Sequence, residues 1–189
     1  AMSFGKSRAK LLNRARNKIP FKDVAGVDVD GLPEVVLGAL RGLRQTLATA
    51  ESCTGGLISA AITDVSGASE VFQGGVVSYS NDIKELVLGV PRETLVAHGA
   101  VSEEVARAMA EGARSRLATD WGVGITGLAG PTGGTDEKPV GLVHWAVAGP
   151  SGTEARHRVF PGNRGIIRQW SVNAALDLLR RSVAGGARQ

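Results

Sequence analysis

The sequence holds one cysteine, Cys53, so no intrachain disulfide can form and a reducing compartment, the cytoplasm, is expected. No apolar run approaches the roughly 20 residues that a membrane span needs. The basic N-terminus lacks the apolar stretch of a signal peptide, so neither membrane insertion nor export is expected. His, Cys and acidic residues nowhere cluster at metal-ligand spacing, and neither a metal nor another cofactor is expected. Gly5-Lys6-Ser7 resembles the end of a phosphate-binding loop. The upstream glycine of GxxxxGK[ST] is missing and no strand pattern precedes it, which excludes an ATPase reading. No internal repeat is visible, so a solenoid or propeller is excluded.

What remains is an ordinary globular composition. The 189 residues are 43% hydrophobic and 21% charged, which suits one compact domain plus a tail. Folding at this length buries about two thirds of the unfolded surface, enough to dispense with metals and disulfides. The formal charge of +4 is unevenly spread. Residues 1–20 carry Lys6, Arg8, Lys10, Arg14, Arg16 and Lys18 and no acid, so the other 169 residues sum to −2. A mildly acidic domain is a poor tracker of phosphate backbones, and nucleic acid is not expected as a partner. Residues 1–29 therefore read as a basic tail, extraneous or fused, with no role in folding or turnover. Within residues 3–28, FGKSRAKLL (4–12) and PFKDVAGVD (20–28) resemble the segment leading into the ATPase module of the FtsH proteases. Ala1 before Met2 has the look of a cloning remnant.

From residue 30 to about 185 helix and strand patterns alternate. Asp30 and Pro33 suit a helix start, with Val36, Leu40 and Leu43 as its apolar stripe. Thr46–Ala50 reads as a strand, and a helix from Thr54 to about Val65 follows Ser52. Residues 75–80 (GVVSYS) form the next strand, and Asn81 caps a helix carrying Lys84 and Leu88. Ser102 caps a longer helix with Val105, Met109, Ala113 and Leu117 on one face. Gly122–Thr126 is a strand. Two more strands, near Val140–Ala148 and Glu154–Phe160, are joined by a Gly149-Pro150-Ser151-Gly152 hairpin turn. A last helix shows Ile167, Trp170, Ala174 and Leu178 at helical spacing. This alternation predicts an α/β fold, a single three-layer αβα domain with a mixed sheet.

Ser52 falls between a strand and a helix that opens with Gly55 and Gly56. Such a helix start can hold an oxyanion or a phosphate on unpaired N–H groups, and the glycines admit close approach to the backbone. The same placement suits a serine that only caps the helix. A serine nucleophile needs a base. His144 and His157 lie inside strand patterns and His98 ends a helix, so a histidine triad has little support. A lysine can serve if its pKa is lowered, and Lys84 lies one turn into a helix near Tyr79, Ser80 and Asn81. Taken alone it also reads as a solvated surface lysine. Cys53 is either a competing nucleophile or a small buried apolar residue.

Five ordered blocks carry a resemblance. TAESCTGG (49–56), GGVVSYSNDIK (74–84), HGAVSEEVARAMAEGAR (98–114), ITGLAGPTGGTDEKPVG (125–141) and FPGNRGIIR (160–168) are similar to the CinA C-terminal domain family, over about residues 31–183. That family includes the stand-alone bacterial nicotinamide mononucleotide amidases. The resemblance implies an amidohydrolase that converts nicotinamide mononucleotide, a pyridine nucleotide, to nicotinate mononucleotide and ammonia. It places the nucleophile on Ser52, its base on Lys84 and the accompanying tyrosine on Tyr79. Substrate contacts would come from Thr54, Gly55, Gly56, Ser80, Asn81, Thr126, Gly127, Gly130 and Arg164, the last gripping a phosphate bidentately. Many members carry a nucleotide domain ahead of this one; the sequence shows none, so its pyrophosphatase chemistry is not expected. A homo-oligomer is expected. The alternative is a non-catalytic, competence- or damage-linked binding module on the same fold.

Overall fold

A computed structural model describes residues 31–186. The elements run α1 (Leu32–Leu43), β1 (Leu47–Glu51), α2 (Leu57–Thr63), β2 (Phe72–Val77), α3 (Asn81–Leu88), α4 (Arg92–His98), α5 (Glu103–Arg116), β3 (Trp121–Gly127), β4 (Leu142–Gly149), β5 (Gly152–Val159) and α6 (Arg164–Gly186). The sheet order is β2-β1-β3-β4-β5. β1 runs parallel to both β2 and β3, whereas β3–β4 and β4–β5 are antiparallel. The sheet is mixed and helices cover both faces, as the sequence pattern predicts. No helix among the described residues is long and apolar enough to cross a membrane.

The alternation of side chains along each strand sorts the core into two faces of different character. Leu47, Val123, Ile125, Val143, Trp145 and Val147 face α1, α2 and α6 in one large apolar cluster. On the opposite face Ala48, Ala50, Ala146 and Ala148 are small and meet α3, α4 and α5. Gly122 and Gly124 let α5 lie almost on the sheet, since a Cβ at either position would strike the carbonyl oxygen of Ala110 or Ala106. α5 is capped by Ser102, whose hydroxyl accepts from Val105 N–H, and Val105, Met109 and Ala113 are fully buried. The β4–β5 hairpin turns through Pro150-Ser151, with Gly149 paired to Gly152.

Four local expectations are corrected. α2 begins at Leu57, because Gly55 and Gly56 adopt φ of +61° and +94°, a left-handed conformation that no helix can contain. Ser80, not Asn81, caps α3, its hydroxyl accepting from Ile83 N–H. Leu43 is 42% exposed, so the stripe of α1 is Leu32, Val36, Leu37 and Leu40. α1 follows Gly31 without a side-chain cap, and Asp30 lies outside the described residues, as does the tail.

Candidate active site

The carboxyl ends of β1, β2 and β3 open onto one cleft, the usual ligand edge of a parallel sheet. It encloses about 330 Å³ and is lined by Ser52, Cys53, Tyr79, Lys84, Ala100, Val101, Thr126, Gly127, Leu128, Ala129, Gly130, Thr132 and Arg164. Ser52 directly follows β1 and is 9% exposed. Lys84 enters from the first turn of α3 and is 1% exposed. Its Nζ donates to the Ser78 carbonyl at 2.8 Å and to Ser52 Oγ at 3.3 Å.

The surroundings of this pair shift Lys84 toward the neutral amine. Burial holds the Lys84 pKa below the ordinary lysine value, because the ammonium form is poorly solvated there. The one influence that raises it, Cys53, acts only when the thiol is ionised. Burial pushes the Cys53 thiol up to about 12, so at neutral pH it is protonated and poorly nucleophilic. Among the described residues the cleft lining contains two basic side chains, Lys84 and Arg164, and no carboxylate.

Tyr79 and Arg164 meet at the cleft mouth. Arg164 Nη1 donates to the Gly130 carbonyl at 2.9 Å, and Nη2 to the Tyr79 hydroxyl at 3.3 Å. Thr126 lies deeper, and its hydroxyl donates to the Ala100 carbonyl at 2.7 Å, which fixes the loop before α5. Gly127 and Gly130 supply backbone surface. Thr54, Gly55, Gly56, Ser80 and Asn81 do not line the cleft. Ser80 is occupied as the α3 cap, Asn81 is exposed on that helix, and Thr54 is buried behind the Ser52 turn. None of the three histidines lines it either: His144 pairs with His157 at 5.2 Å between ring centroids, and His98 Nδ1 lies 3.4 Å from Glu104. No group of three or more His, Cys, Asp or Glu among the described residues is placed to hold a metal.

The start of α2 is not free to receive an oxyanion, contrary to the sequence-based expectation. Glu51, fully buried at the end of β1, accepts from Gly56 N–H and Ile58 N–H, both at 3.0 Å, and from Ser59 N–H at 2.8 Å. The Ser59 hydroxyl adds a fourth bond at 2.7 Å. An internal carboxylate thus fills the anion site at the helix N-terminus. Glu51 and Arg168, which binds the carbonyls of Cys53 and Thr54, are two site residues that sequence reasoning missed. Their only signal was membership of the blocks ESCTGG and GNRGIIR.

Residues 29–183 match the model of the CinA C-terminal domain. The chain is 57% identical over 159 residues to a CinA-like protein of Anaeromyxobacter sp. (strain K), covering 84% of this chain and 39% of that protein. It is 56% identical over 158 residues to a CinA-like protein of Parasynechococcus marenigrum (strain WH8102), covering 82% of this chain and 38% of that one. The chain therefore spans about two fifths of the length of these relatives. Among solved structures, the competence/damage inducible protein CihA from Agrobacterium tumefaciens superposes with a TM-score of 0.80 at 40% identity, covering 85% of this chain and 98% of its own. A competence-damaged protein (CinA) superfamily protein from Klebsiella pneumoniae 700603 also gives 0.80, at 33% identity over 84% of this chain and 99% of its own.

Proposed function

The chain belongs to the CinA C-terminal domain family, and from that premise we propose that it is a serine amidohydrolase converting nicotinamide mononucleotide to nicotinate mononucleotide and ammonia. The observation that carries this reading is the buried, carboxylate-free Lys84 amine 3.3 Å from Ser52 Oγ. Burying a lysine without an acidic partner is costly, so its presence calls for a function. Amide hydrolysis supplies one, because a neutral amine beside a hydroxyl can act as its base.

In the proposed reaction Ser52 Oγ attacks the carboxamide carbon while its proton passes to Lys84 Nζ. The carbonyl oxygen becomes an oxyanion, and the new ammonium, held against the reacting centre, offsets part of that charge. The proton then moves to the leaving nitrogen, with the Tyr79 hydroxyl as relay, and ammonia departs. Water enters next and attacks the acyl-serine, again deprotonated through Lys84, releasing the carboxylate product and restoring Ser52. The acid-free lining with its one arginine suits an anionic substrate, and Arg164 at the mouth has the geometry to exchange Tyr79 and Gly130 for a phosphate.

The test is ammonia release from nicotinamide mononucleotide and from nicotinamide riboside. The mononucleotide should be turned over far faster, because contacts to the remote phosphate position the amide. Arg164→Ala should narrow the gap by slowing the mononucleotide alone. Equal rates on the two compounds would remove Arg164 from the site, and no ammonia from either would overturn the reading.

A further inference from the structure

The turn that presents Ser52 is held from two sides by residues that never touch the cleft. Its N–H side is Glu51, described above. Its carbonyl side is Arg168, one helical turn beyond Arg164 in α6, whose Nε donates to the Cys53 carbonyl at 3.1 Å and whose Nη2 donates to the Thr54 carbonyl at 2.6 Å. The turn closes on itself through Gly55 N–H to the Ser52 carbonyl at 3.1 Å. The guanidinium also lies against Gly55: a Cβ there would sit 3.3 Å from Arg168 Nη2.

We propose that Arg168 is a positioning residue for Ser52, orienting the nucleophile by fixing the two peptide carbonyls that follow it. The proposal rests on the reading of Ser52 as the nucleophile. Two consecutive carbonyls gripped by one planar fork fix the peptide planes after Ser52, and with them the direction of its Cα–Cβ bond. With left-handed glycines three and four residues downstream, at Gly55 and Gly56, the turn has little intrinsic preference for that direction. Fixing it therefore needs an external hold. Arg168 supplies that hold from a different element, 115 residues away from Cys53. It is half-buried rather than sealed in the core, so its truncation leaves the apolar clusters of both faces intact.

The experiment measures the reactivity of Ser52 without relying on any particular amide. An alkyl fluorophosphonate is attacked by Ser52 Oγ; the P–O bond forms, fluoride leaves, and the hydroxyl proton passes to Lys84. The rate of labelling at Ser52, located by peptide mass, is compared in the full chain and in its variants. Arg168→Ala should label about 10- to 100-fold more slowly, the range expected when a reacting group is misplaced by about 1 Å. Its kcat on the mononucleotide should fall in parallel with KM little changed. Methylguanidinium at millimolar concentration should restore part of both rates, and Arg168→Lys, with one donor group for two carbonyls, should lie between. Gln169→Ala, an exposed neighbour, should match the unmodified chain. Labelling of Arg168→Ala at the unmodified rate overturns the proposal. So does a loss that neither methylguanidinium nor lysine softens, which would assign Arg168 to folding alone. Labelling decides the positioning role even if the mononucleotide is not hydrolysed, so the two readings fail separately. Absence of labelling in the unmodified chain would sink both.

Discussion

Lys84 Nζ and Ser52 Oγ lie 3.3 Å apart although 32 positions separate them in the chain. Adjacent parallel strands bring them together. β1 ends just before Ser52, and β2 ends at Val77, just before Ser78, whose carbonyl takes the second Lys84 bond before α3 turns the lysine back inward.

Burial of Lys84 gives a pH dependence of defined sign. Its folded pKa lies below the value of 10.5 that an unfolded lysine shows. The unfolded chain therefore binds this proton more tightly, and the burial cost is fully present below the folded pKa. That cost disappears as pH rises through the window between the folded value and 10.5. Lys84→Met should accordingly raise the melting temperature at neutral pH, by about 2–4 °C for each kcal/mol recovered, and the gain should shrink as pH rises. In the unmodified chain kcat/KM should climb with pH through the same lowered pKa. A melting-temperature difference flat in pH up to 10.5 would show that folding does not lower the Lys84 pKa.

Cys53 offers a clean discrimination between neighbouring nucleophiles. With its thiol pushed up to about 12, it should react sluggishly with iodoacetamide at neutral pH. Cys53→Ser should keep most of its turnover. A folded but inactive Cys53→Ser variant would transfer the nucleophile assignment from Ser52 to Cys53.

The close seat of α5 on the sheet predicts opposite effects for one substitution at two glycines. Gly122→Ala drives a methyl group into the Ala110 carbonyl, and overpacking of this kind costs about 1–3 kcal/mol. Gly38→Ala, on the exposed side of α1 with nothing within 4 Å of the new Cβ, should stabilise by about 1 kcal/mol. Urea unfolding of the two variants measures both. Equal and small effects would mean that α5 can lift away from β3 freely.

The parts of the fold legible in the sequence are those set by local chemistry. The Ser102 cap, the Val105–Met109–Ala113 stripe and the Gly149–Gly152 hairpin each rest on residues within a few positions of one another. The start of α2 was misread because Glu51, a residue on the preceding strand, does the work that a cap at Ser52 would otherwise do. Lys84 stands among Tyr79, Ser80 and Asn81, all exposed, so nothing in its neighbourhood marks it as buried. Only the pairing of β1 with β2 decides that. The Arg168 hold spans 115 residues and has no periodic signature at all.

Ammonia release from nicotinamide mononucleotide by the unmodified chain, Ser52→Ala, Lys84→Ala and the double variant tests the Ser52–Lys84 pairing most directly. Groups that act as one unit are non-additive when removed, so each single variant should lose about 10³-fold or more, and the double variant should be barely slower than either. Binding of the mononucleotide to Ser52→Ala should persist, since the hydroxyl serves the bond change and not the phosphate contact. Near-normal turnover by Lys84→Ala at neutral pH would contradict the account, because the proton of Ser52 would then have another acceptor.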